Sequence, residues 1–282
     1  MPLLLASSAL RCSMPNALVT GASTGFGAGT VRRLRERGWT AYGTSRDPSR
    51  LPQDERQDML PLDLRDDASI AALAATMDDL AGGLGALVSN AGIAVNGPWE
   101  ELSSDDLRDQ LEVNLIGTMA VVRGCLPALR KAGGVIVQIS SVSGLTADAG
   151  FGAYNASKFG LEGATEALAA EVKGQGVRIV LVEPGPFRTP IVDVAPDIDG
   201  RVANGRYAKV WRDIDDWKGW FRAKAEDPAI VVDAIVAAIE RDDAPFRIPV
   251  GTNVTTWIRE HTEELLGDLD AAQRFLASVR HE

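Results

Sequence analysis

Short apolar segments alternate with helical segments along most of the chain. Strands are predicted at residues 17–20, 40–45, 59–63, 84–89, 134–140 and 177–182, and helices at residues 30–38, 70–80, 102–130 and 154–172. Strands that alternate with helices indicate β-α-β units, in which helices cover both faces of a parallel sheet. The sequence therefore predicts an α/β fold, with one doubly wound domain over residues 15–282.

The charge and the residue counts exclude several kinds of function. The 282 residues include 39 acidic and 29 basic side chains, and the resulting net charge of −10 disfavours a nucleic-acid partner. The isolated cysteines, Cys12 and Cys125, predict neither a disulfide framework nor a zinc site. The two histidines, His261 and His281, lie near the end of the chain. We therefore expect no metal, and acid/base chemistry from another residue type.

The beginning of the chain carries little structural signal. Residues 1–14 are predicted to be a disordered tail or the product of an upstream start codon, because a second methionine, Met14, lies shortly before the first strand. No cationic region precedes the short apolar run there, which disfavours a signal peptide. No segment has the roughly 18 apolar residues of a membrane span. The expected compartment is the cytoplasm, with no membrane partner.

The character of the sequence changes after Pro190. Residues 190–225 are rich in Asp and contain an aromatic cluster at 207–221. Such a cluster suits a helical or irregular lid over an apolar ligand, but rings that pack a short helix onto the core have the same composition. A helix at 229–241, an edge strand at 246–250 and a helical tail at 252–282 are predicted to complete the domain.

A glycine-rich stretch, Thr20–Gly27, lies between the first strand and the first helix. Its glycines allow a tight turn and a close approach to a pyrophosphate, and the following helix directs its free N–H groups at the phosphates. A plain tight turn would also contain glycine, yet the position after the first strand favours a dinucleotide-binding loop in a Rossmann-type domain.

Two residues at the end of the second strand bear on the choice of nucleotide. An NAD-binding domain usually has an acidic residue here, which bonds the ribose 2′-hydroxyl. This chain has Ser45 and Arg46 instead. A guanidinium suits a 2′-phosphate, so the sequence predicts NADP(H) over NAD(H). The alternative for Arg46 is a solvated surface charge.

A tyrosine and a lysine stand four residues apart at the start of the fourth predicted helix. Tyr154 and Lys158 therefore share one helix face. The lysine ammonium is expected to lower the phenol pKa from its usual value of about 10, which would make Tyr154 a general acid/base. Ser141 follows the strand at 134–140 and is expected to bond a substrate oxygen at the carboxyl edge of the sheet.

Taken together, these motifs resemble the short-chain dehydrogenase/reductase family over residues 16–190, and weakly over 226–251. Further matches are Leu62-Asp63-Leu64, Asn90-Ala91-Gly92, Asn114 and Pro184-Gly185-x3-Thr189. One departure is Ser89, where the family often has a second asparagine. Arg46 is similar to the NADP-preferring branch of the family.

The resemblance implies roles for individual residues. Tyr154 would exchange a proton with the substrate oxygen that Ser141 steadies, while Lys158 would bind the nicotinamide ribose. Asn114 would hold a water that relays protons to Lys158. Asp63 would bond the adenine, and Thr189 the nicotinamide carboxamide. The implied cofactor-binding residues are Gly21, Ser23, Thr24, Gly25, Phe26, Gly27, Ser45, Arg46, Asp63, Leu64, Asn90, Ala91, Gly92, Tyr154, Lys158, Pro184, Gly185, Phe187 and Thr189.

The predicted activity is reversible hydride transfer between NADP(H) and a secondary alcohol or its ketone, with an apolar small-molecule substrate. A non-catalytic, nucleotide-sensing protein of the same fold is the alternative. A hydrolase that uses His261 would need a nucleophile elbow of the Gly-x-Ser-x-Gly kind, and we identify none.

Association into a homodimer or homotetramer is also expected. The helices at 102–130 and 154–172 correspond to the family's dimer face. Leu161, Ala164, Leu168 and Val172 recur at helical spacing on the second of them. The alternative is that this stripe faces the sheet.

Overall fold

A computed structural model describes residues 15–192 and 205–279. The strands are β1 (Asn16–Val19), β2 (Thr40–Ser45), β3 (Met59–Pro61), β4 (Ala86–Ser89), β5 (Val135–Ile139), β6 (Arg178–Pro184) and β7 (Arg247–Val250). The helices are α1 (Gly25–Glu36), α2 (Asp67–Asp78), α3 (Ser104–Leu111), α4 (Thr118–Ala132), α5 (Gly152–Glu171), α6 (Ala208–Lys224), α7 (Ala229–Glu240) and α8 (Val254–Val279). The predictions for residues 1–14, 193–204 and 280–282 lie outside the described residues.

The seven strands form one parallel sheet in the order β3-β2-β1-β4-β5-β6-β7. The predicted doubly wound α/β fold is confirmed, and β7 is the edge strand that the sequence indicates. The chain runs outward from β1 to β3 and then continues on the other side of β1 with β4. Loops that leave β1 and β4 therefore diverge, and ligands bind at such a switch point beyond the carboxyl ends of the strands.

The core consists of two apolar layers, one on each face of the sheet. In β1, Ala17 and Val19 pack with the layer that contains residues of α1 and α7, whereas Leu18 packs with residues of α2 and α4. This division follows from the two-residue period of a strand. Strands β4 and β5 are buried along their whole length. Burial on both faces explains why these strands read as continuous apolar runs.

The single helical region predicted at 102–130 is two helices, α3 and α4, joined by a π-helical turn at Glu112–Gly117. Gly117 packs so closely against the loop after β3 that a Cβ there would lie 2.0 Å from the Leu64 carbonyl oxygen. The Thr118 hydroxyl donates to the Val113 carbonyl at 2.9 Å, inside the turn. Such π turns occur often beside functional sites, and this one carries Asn114.

The continuous stretch Ser104–Ala132 has the length and hydropathy of a membrane-spanning helix. Part of its apolar surface packs inside the protein, where Val121, Cys125 and Leu129 are buried among residues of α2 and the sheet, whereas Ile116 is exposed. Packing on the sheet therefore accounts for the apolar character of this stretch.

The apolar stripe on α5 does not form an outer face. Leu161 and Val172 are buried within the chain, and Leu168 packs against the same core layer as Val172. The prediction that this stripe is a dimer face is wrong, and its alternative is correct, because the helix needs an apolar side to cover the sheet. The exposed large apolar side chains include Ile116 on the π-helical turn and Phe159 on α5, which are 54% and 43% exposed.

Candidate active site

A cavity of about 1000 Å³ opens at the carboxyl ends of the strands. Loops after β1, β2, β3, β4, β5 and β6 line it, together with parts of α5, α6 and α8. All the predicted site residues contribute to its wall except Gly27 and Asn114. The topology has thus brought residues from distant parts of the sequence to one place.

The glycine-rich loop forms one side of the cavity. Gly21 and Gly25 have φ angles of +64° and +57°, in the left-handed region that glycine adopts at little cost. Gly25 is also the first residue of α1, so the free N–H groups of that helix lie beside the cavity with Ser23 and Thr24. This arrangement fits the phosphates of a dinucleotide.

Gly27 lies beneath this loop. A Cβ at Gly27 would lie 2.4 Å from the Gly21 carbonyl oxygen and 2.7 Å from Asn90 Nδ2. Gly27 is therefore enclosed by protein atoms and does not line the cavity, and its cofactor-binding role stays a prediction. Its missing side chain lets α1 pack tightly against the loop.

Four hydrogen bonds join the glycine-rich loop to the loop after β4. The Thr20 hydroxyl accepts from the backbone N–H groups of Asn90 and Ala91, at 2.9 and 3.0 Å. Asn90 Nδ2 donates to the carbonyls of Thr20 and Gly21, at 2.9 and 3.1 Å. These bonds hold both sides of the switch point together. The sequence analysis missed the role of Thr20; its only signal is a polar residue directly after a buried strand.

Two arginines lie at the far end of the cavity, near Ser45, Asp63 and Leu64. Arg65 makes a bidentate ion pair with Asp109, at 2.6 and 2.7 Å. Arg46 is exposed and makes no hydrogen bond or ion pair with the residues that the structure describes. Of these two guanidinium groups, that of Arg46 is therefore free to pair with a ligand anion.

Tyr154, Ser141 and Lys158 meet at the middle of the cavity. Tyr154 and Lys158 lie on the first two turns of α5, and Ser141 follows β5 at the start of a 3₁₀ turn. The Ser141 hydroxyl hydrogen-bonds the Tyr154 phenol. Lys158 Nζ lies 5.8 Å from the centroid of the Tyr154 ring and donates to the Ile139 carbonyl at 2.8 Å. Three of the four predicted catalytic side chains are thus neighbours, and the fourth is Asn114.

The pKa values of these groups depart from the sequence-based expectation. Burial raises the pKa of the Tyr154 phenol above its usual value, and the hydrogen bond with Ser141 opposes this rise. Burial also lowers the pKa of Lys158 to about 8, against the attraction of Glu162. The expectation that Lys158 lowers the Tyr154 pKa is therefore wrong for the described residues, because desolvation dominates. Tyr154 carries its proton at neutral pH.

Asn114 lies behind the cavity wall and is 1% exposed. Its side-chain amide bonds both backbone groups of Ile93 at 2.9 Å, and Nδ2 also donates to Ser157 Oγ at 3.2 Å. Ser157 in turn donates to the Tyr154 carbonyl at 2.7 Å. Asn114 therefore connects the loop after β4 to α5, a link in which the sequence analysis missed Ser157. The relay of protons through water at Asn114 stays a prediction.

Aromatic rings line the other end of the cavity. The ring of Trp217 lies 4.9 Å from that of Phe151 and 5.1 Å from that of Phe221, and Trp220 lies nearby in the wall. Trp211 is buried elsewhere, and its Nε1 donates to Glu101 Oε2 at 2.6 Å. The predicted aromatic cluster thus divides into rings that face the cavity and one that anchors α6.

The C-terminal helix α8 also reaches the cavity through Trp257, Glu260, His261 and Glu264. Their spacing of three and four residues places them on one helix face. The sequence analysis did not assign these side chains to the site, because nothing local showed which face of the tail would meet the domain.

The geometry on both sides of the switch point fits a dinucleotide: left-handed glycines, a helix N-terminus and a free guanidinium surround one cavity. A family model described as short chain dehydrogenase matches residues 15–197, which include Ser141, Tyr154 and Lys158. The chain is a short-chain dehydrogenase/reductase.

One curated relative of this dehydrogenase/reductase is the 3-ketodihydrosphingosine reductase of Bacteroides thetaiotaomicron. It is 37% identical over 177 residues, which is 62% of this chain and 65% of the relative. The match therefore spans just under two thirds of the relative's length.

Solved structures of the family share the fold over nearly the whole chain. A short-chain dehydrogenase from Streptomyces avermitilis has a TM-score of 0.81 and 30% identity, and the match covers 94% of this chain and 98% of that one. A short chain dehydrogenase from Burkholderia cenocepacia, solved in complex with NADP, has a TM-score of 0.71 and 25% identity, covering 95% and 99%.

Proposed function

We propose that this short-chain dehydrogenase/reductase is an NADP(H)-dependent oxidoreductase that interconverts a secondary alcohol and its ketone. The observation that carries the proposal is the convergence of Ser141, Tyr154 and Lys158 on the cavity that the glycine-rich loop also lines. The relative named as a reductase and the structural neighbour with NADP support it.

The chain's own residues supply the proton chemistry. The nicotinamide, when bound, supplies or accepts the hydride. In the direction of reduction, Tyr154 donates its proton to the substrate oxygen, which the Ser141 hydroxyl holds in place. Lys158 has N–H groups beyond the one that bonds Ile139, and these bind the nicotinamide ribose. A water held near Asn114 returns the proton through Lys158.

The aromatic rings at the other end of the cavity favour an apolar substrate. We propose that α6 acts as a lid over this substrate, with Trp217 and Phe221 as its contact surface and Trp211 as its anchor. The exposed side chains of Ile116 and Phe159 favour a homodimer or homotetramer that covers them.

The proposal is tested by following NADPH oxidation with a panel of steroid, aliphatic and aromatic ketones. Turnover of at least one apolar ketone is expected. NADPH binding without turnover of any of them would favour the nucleotide-sensing alternative.

The expectation that the chain has no Gly-x-Ser-x-Gly motif is wrong, because Gly21-Ala22-Ser23-Thr24-Gly25 has this spacing, and a hydrolase is therefore weighed as a second function. Ser23 and His261 both line the cavity, yet no hydrogen bond joins them among the described residues. His261 Nδ1 lies 3.9 Å from Glu264 instead. A serine-histidine pair is therefore not assembled, and the glycine-rich stretch is better explained as a phosphate loop.

Replacing Gly27 by Ala is expected to weaken NADPH binding about tenfold or more, since the added methyl collides with the Gly21 carbonyl and displaces the loop. Fluorescence titration with NADPH measures the change. Gly163→Ala is the matched control, because a Cβ at Gly163 meets nothing within 4 Å. Equal affinity in both variants would contradict the packing role of Gly27.

Affinity for NADPH is expected to fall as the pH rises through about 8, where Lys158 loses its charge. Below this pH the ammonium attracts the anionic cofactor; above it, the neutral amine does not. Titrations between about pH 6.5 and 9.5 measure the midpoint. Lys158→Arg keeps its charge throughout this range and should bind with little pH dependence. A wild-type affinity that stays constant across pH 8 would contradict the assignment.

A further inference from the structure

We propose that Glu162 is a positioning residue for Lys158: its buried carboxylate keeps the lysine side chain positively charged, and Arg247 holds that carboxylate in place. The inference rests on the proposed function, because the charge of Lys158 acts there on the cofactor. It adds a set of residues outside the cavity to those that carry the reaction.

The placement of Glu162 follows from the period of α5. Tyr154, Lys158, Glu162 and Glu166 stand four residues apart, so they form one row along the helix. Lys158 and Glu162 are 5% and 4% exposed, whereas Glu166 reaches solvent. Glu162 is thus the carboxylate one turn beyond the lysine, within the protein interior.

Lys158 has no anionic partner within hydrogen-bond distance among the described residues. The bond that Nζ donates is to the Ile139 carbonyl, a neutral group, at 2.8 Å. A buried ammonium is costly unless a negative charge compensates it. The titratable groups tied to this lysine are Tyr154, whose ring centroid lies 5.8 Å from Nζ, and Glu162, whose attraction opposes the desolvation of Lys158. Glu162 pairs in turn with Arg247 on β7, which also pairs with Glu183 on β6.

Arg247 fixes the position of Glu162. Its Nη1 pairs with Glu162 and, at 2.6 Å, with Glu183, while Nη2 pairs with Glu166 at 2.5 Å. Glu183 is fully buried and directly precedes the Pro184-Gly185 loop of the cavity wall. One guanidinium therefore ties the catalytic helix α5 to the strand that carries a cofactor-binding loop.

One oxygen of the Glu162 carboxylate is left outside the ion pairs of this cluster. Oε2 pairs with Arg247, whereas the buried Oε1 has no hydrogen-bond partner among the described residues. Of the other two carboxyl groups, Glu166 is exposed, and burial raises the pKa of Glu183. The charge of Glu162 lies in the interior, where solvent screens it little, so it is available to favour the ammonium form of Lys158.

Glu162 also borders the turn that follows Ser141. A Cβ at Gly144, in that turn, would lie 3.0 Å from Glu162 Cγ and 3.2 Å from Glu162 Oε1. This close packing limits the movement of the carboxylate. The charge of Glu162 is thus held at a constant distance from the catalytic residues.

The experiment compares NADPH binding as a function of pH in wild type, Glu162→Gln and Glu166→Gln. We expect the midpoint of the wild type to fall by about one pH unit in Glu162→Gln, because an opposing charge is lost. Glu166→Gln also removes a partner of Arg247, but the charge that it removes is exposed to solvent. The midpoint of this variant should therefore stay within about 0.2 pH unit of wild type. Thermal unfolding shows whether each variant is folded.

Glu162→Asp covers the case in which Glu162→Gln does not fold. It retains the charge farther from Lys158, and its midpoint should fall by less than one unit. A folded Glu162→Gln with the wild-type midpoint would overturn the inference, as would equal shifts in Glu162→Gln and Glu166→Gln. If neither the wild type nor Glu166→Gln binds NADPH at any pH, the proposed function itself fails.

Discussion

Replacing Tyr154 by Phe is expected to lower kcat for ketone reduction about a thousandfold, while the Kd for NADPH changes by less than about threefold. The substitution removes the phenolic proton and keeps the ring between Ser141 and Lys158. Because burial raises the Tyr154 pKa, the phenol carries this proton at neutral pH. Steady-state kinetics and NADPH titration separate the two effects.

Tyr42→Phe is the matched control for this substitution. Tyr42 lies on β2, where its ring packs against the core layer that contains Leu18, outside the cavity wall. This variant should keep the activity of the wild type. Turnover retained in Tyr154→Phe would refute the role of Tyr154 as general acid, whereas loss of NADPH binding would show that its ring shapes the cofactor site.

Replacing Arg46 by Asp is expected to reduce kcat/KM with NADPH about a hundredfold and to leave the value with NADH nearly unchanged. Together with the hydrogen bond from Arg65, the charge of Arg46 helps to lower the pKa of the Asp109 carboxyl. Arg46 nevertheless lines the cavity and makes no hydrogen bond or ion pair with the described residues, so its guanidinium can bind a 2′-phosphate. A charge-assisted hydrogen bond of this kind contributes about 1.5–3 kcal/mol, and a carboxylate in its place repels the phosphate. The measurement is kcat/KM with each cofactor at low ionic strength.

Arg50→Asp controls for the general effect of reversing a charge. Arg50 lies near Arg46 in the chain but is 85% exposed, pairs with Asp47 at 3.1 Å and does not line the cavity. Its substitution should leave the ratio of NADPH to NADH efficiency within about twofold of wild type, because charge on an exposed site is well screened. A ratio unchanged in Arg46→Asp would remove the basis for NADP over NAD.

The order of strands and helices was predictable because its signals are local. Apolar runs bounded by glycine or proline mark β4, β5 and β6, and the alternation with helices implies the parallel sheet. The π turn at Glu112–Gly117 was not predictable. The close contact between Gly117 and the Leu64 carbonyl involves a loop that is distant in the sequence, and the apolar pattern on either side reads as one helix.

The catalytic neighbours illustrate the same division. Tyr154 and Lys158 share a face because they stand four residues apart, and Ser141 meets them because strand ends converge in a parallel sheet. Three contacts depend on segments that meet only after folding. They are the hydrogen bonds of Ser157 with Asn114 and the Tyr154 carbonyl, those of Thr20 with the loop after β4, and the packing of α8 at the cavity. The spacing of residues in the sequence therefore predicted which side chains lie together in the cavity, but not the residues that hold them in position.

By itself, the sequence determined the fold class, the position of the glycine-rich loop and the residues that we propose for proton transfer, since each depends on residue type at short range. The tertiary structure alone decided which side of α5 is buried, and so which apolar stripe is available to a partner. It also decided the direction of the pKa shifts at Tyr154 and Lys158, because burial and charges such as Glu162 and Arg247 come from neighbours across the fold. The pKa of a buried group depends on all the atoms and charges that surround it in the folded protein, and a local sequence pattern does not show them.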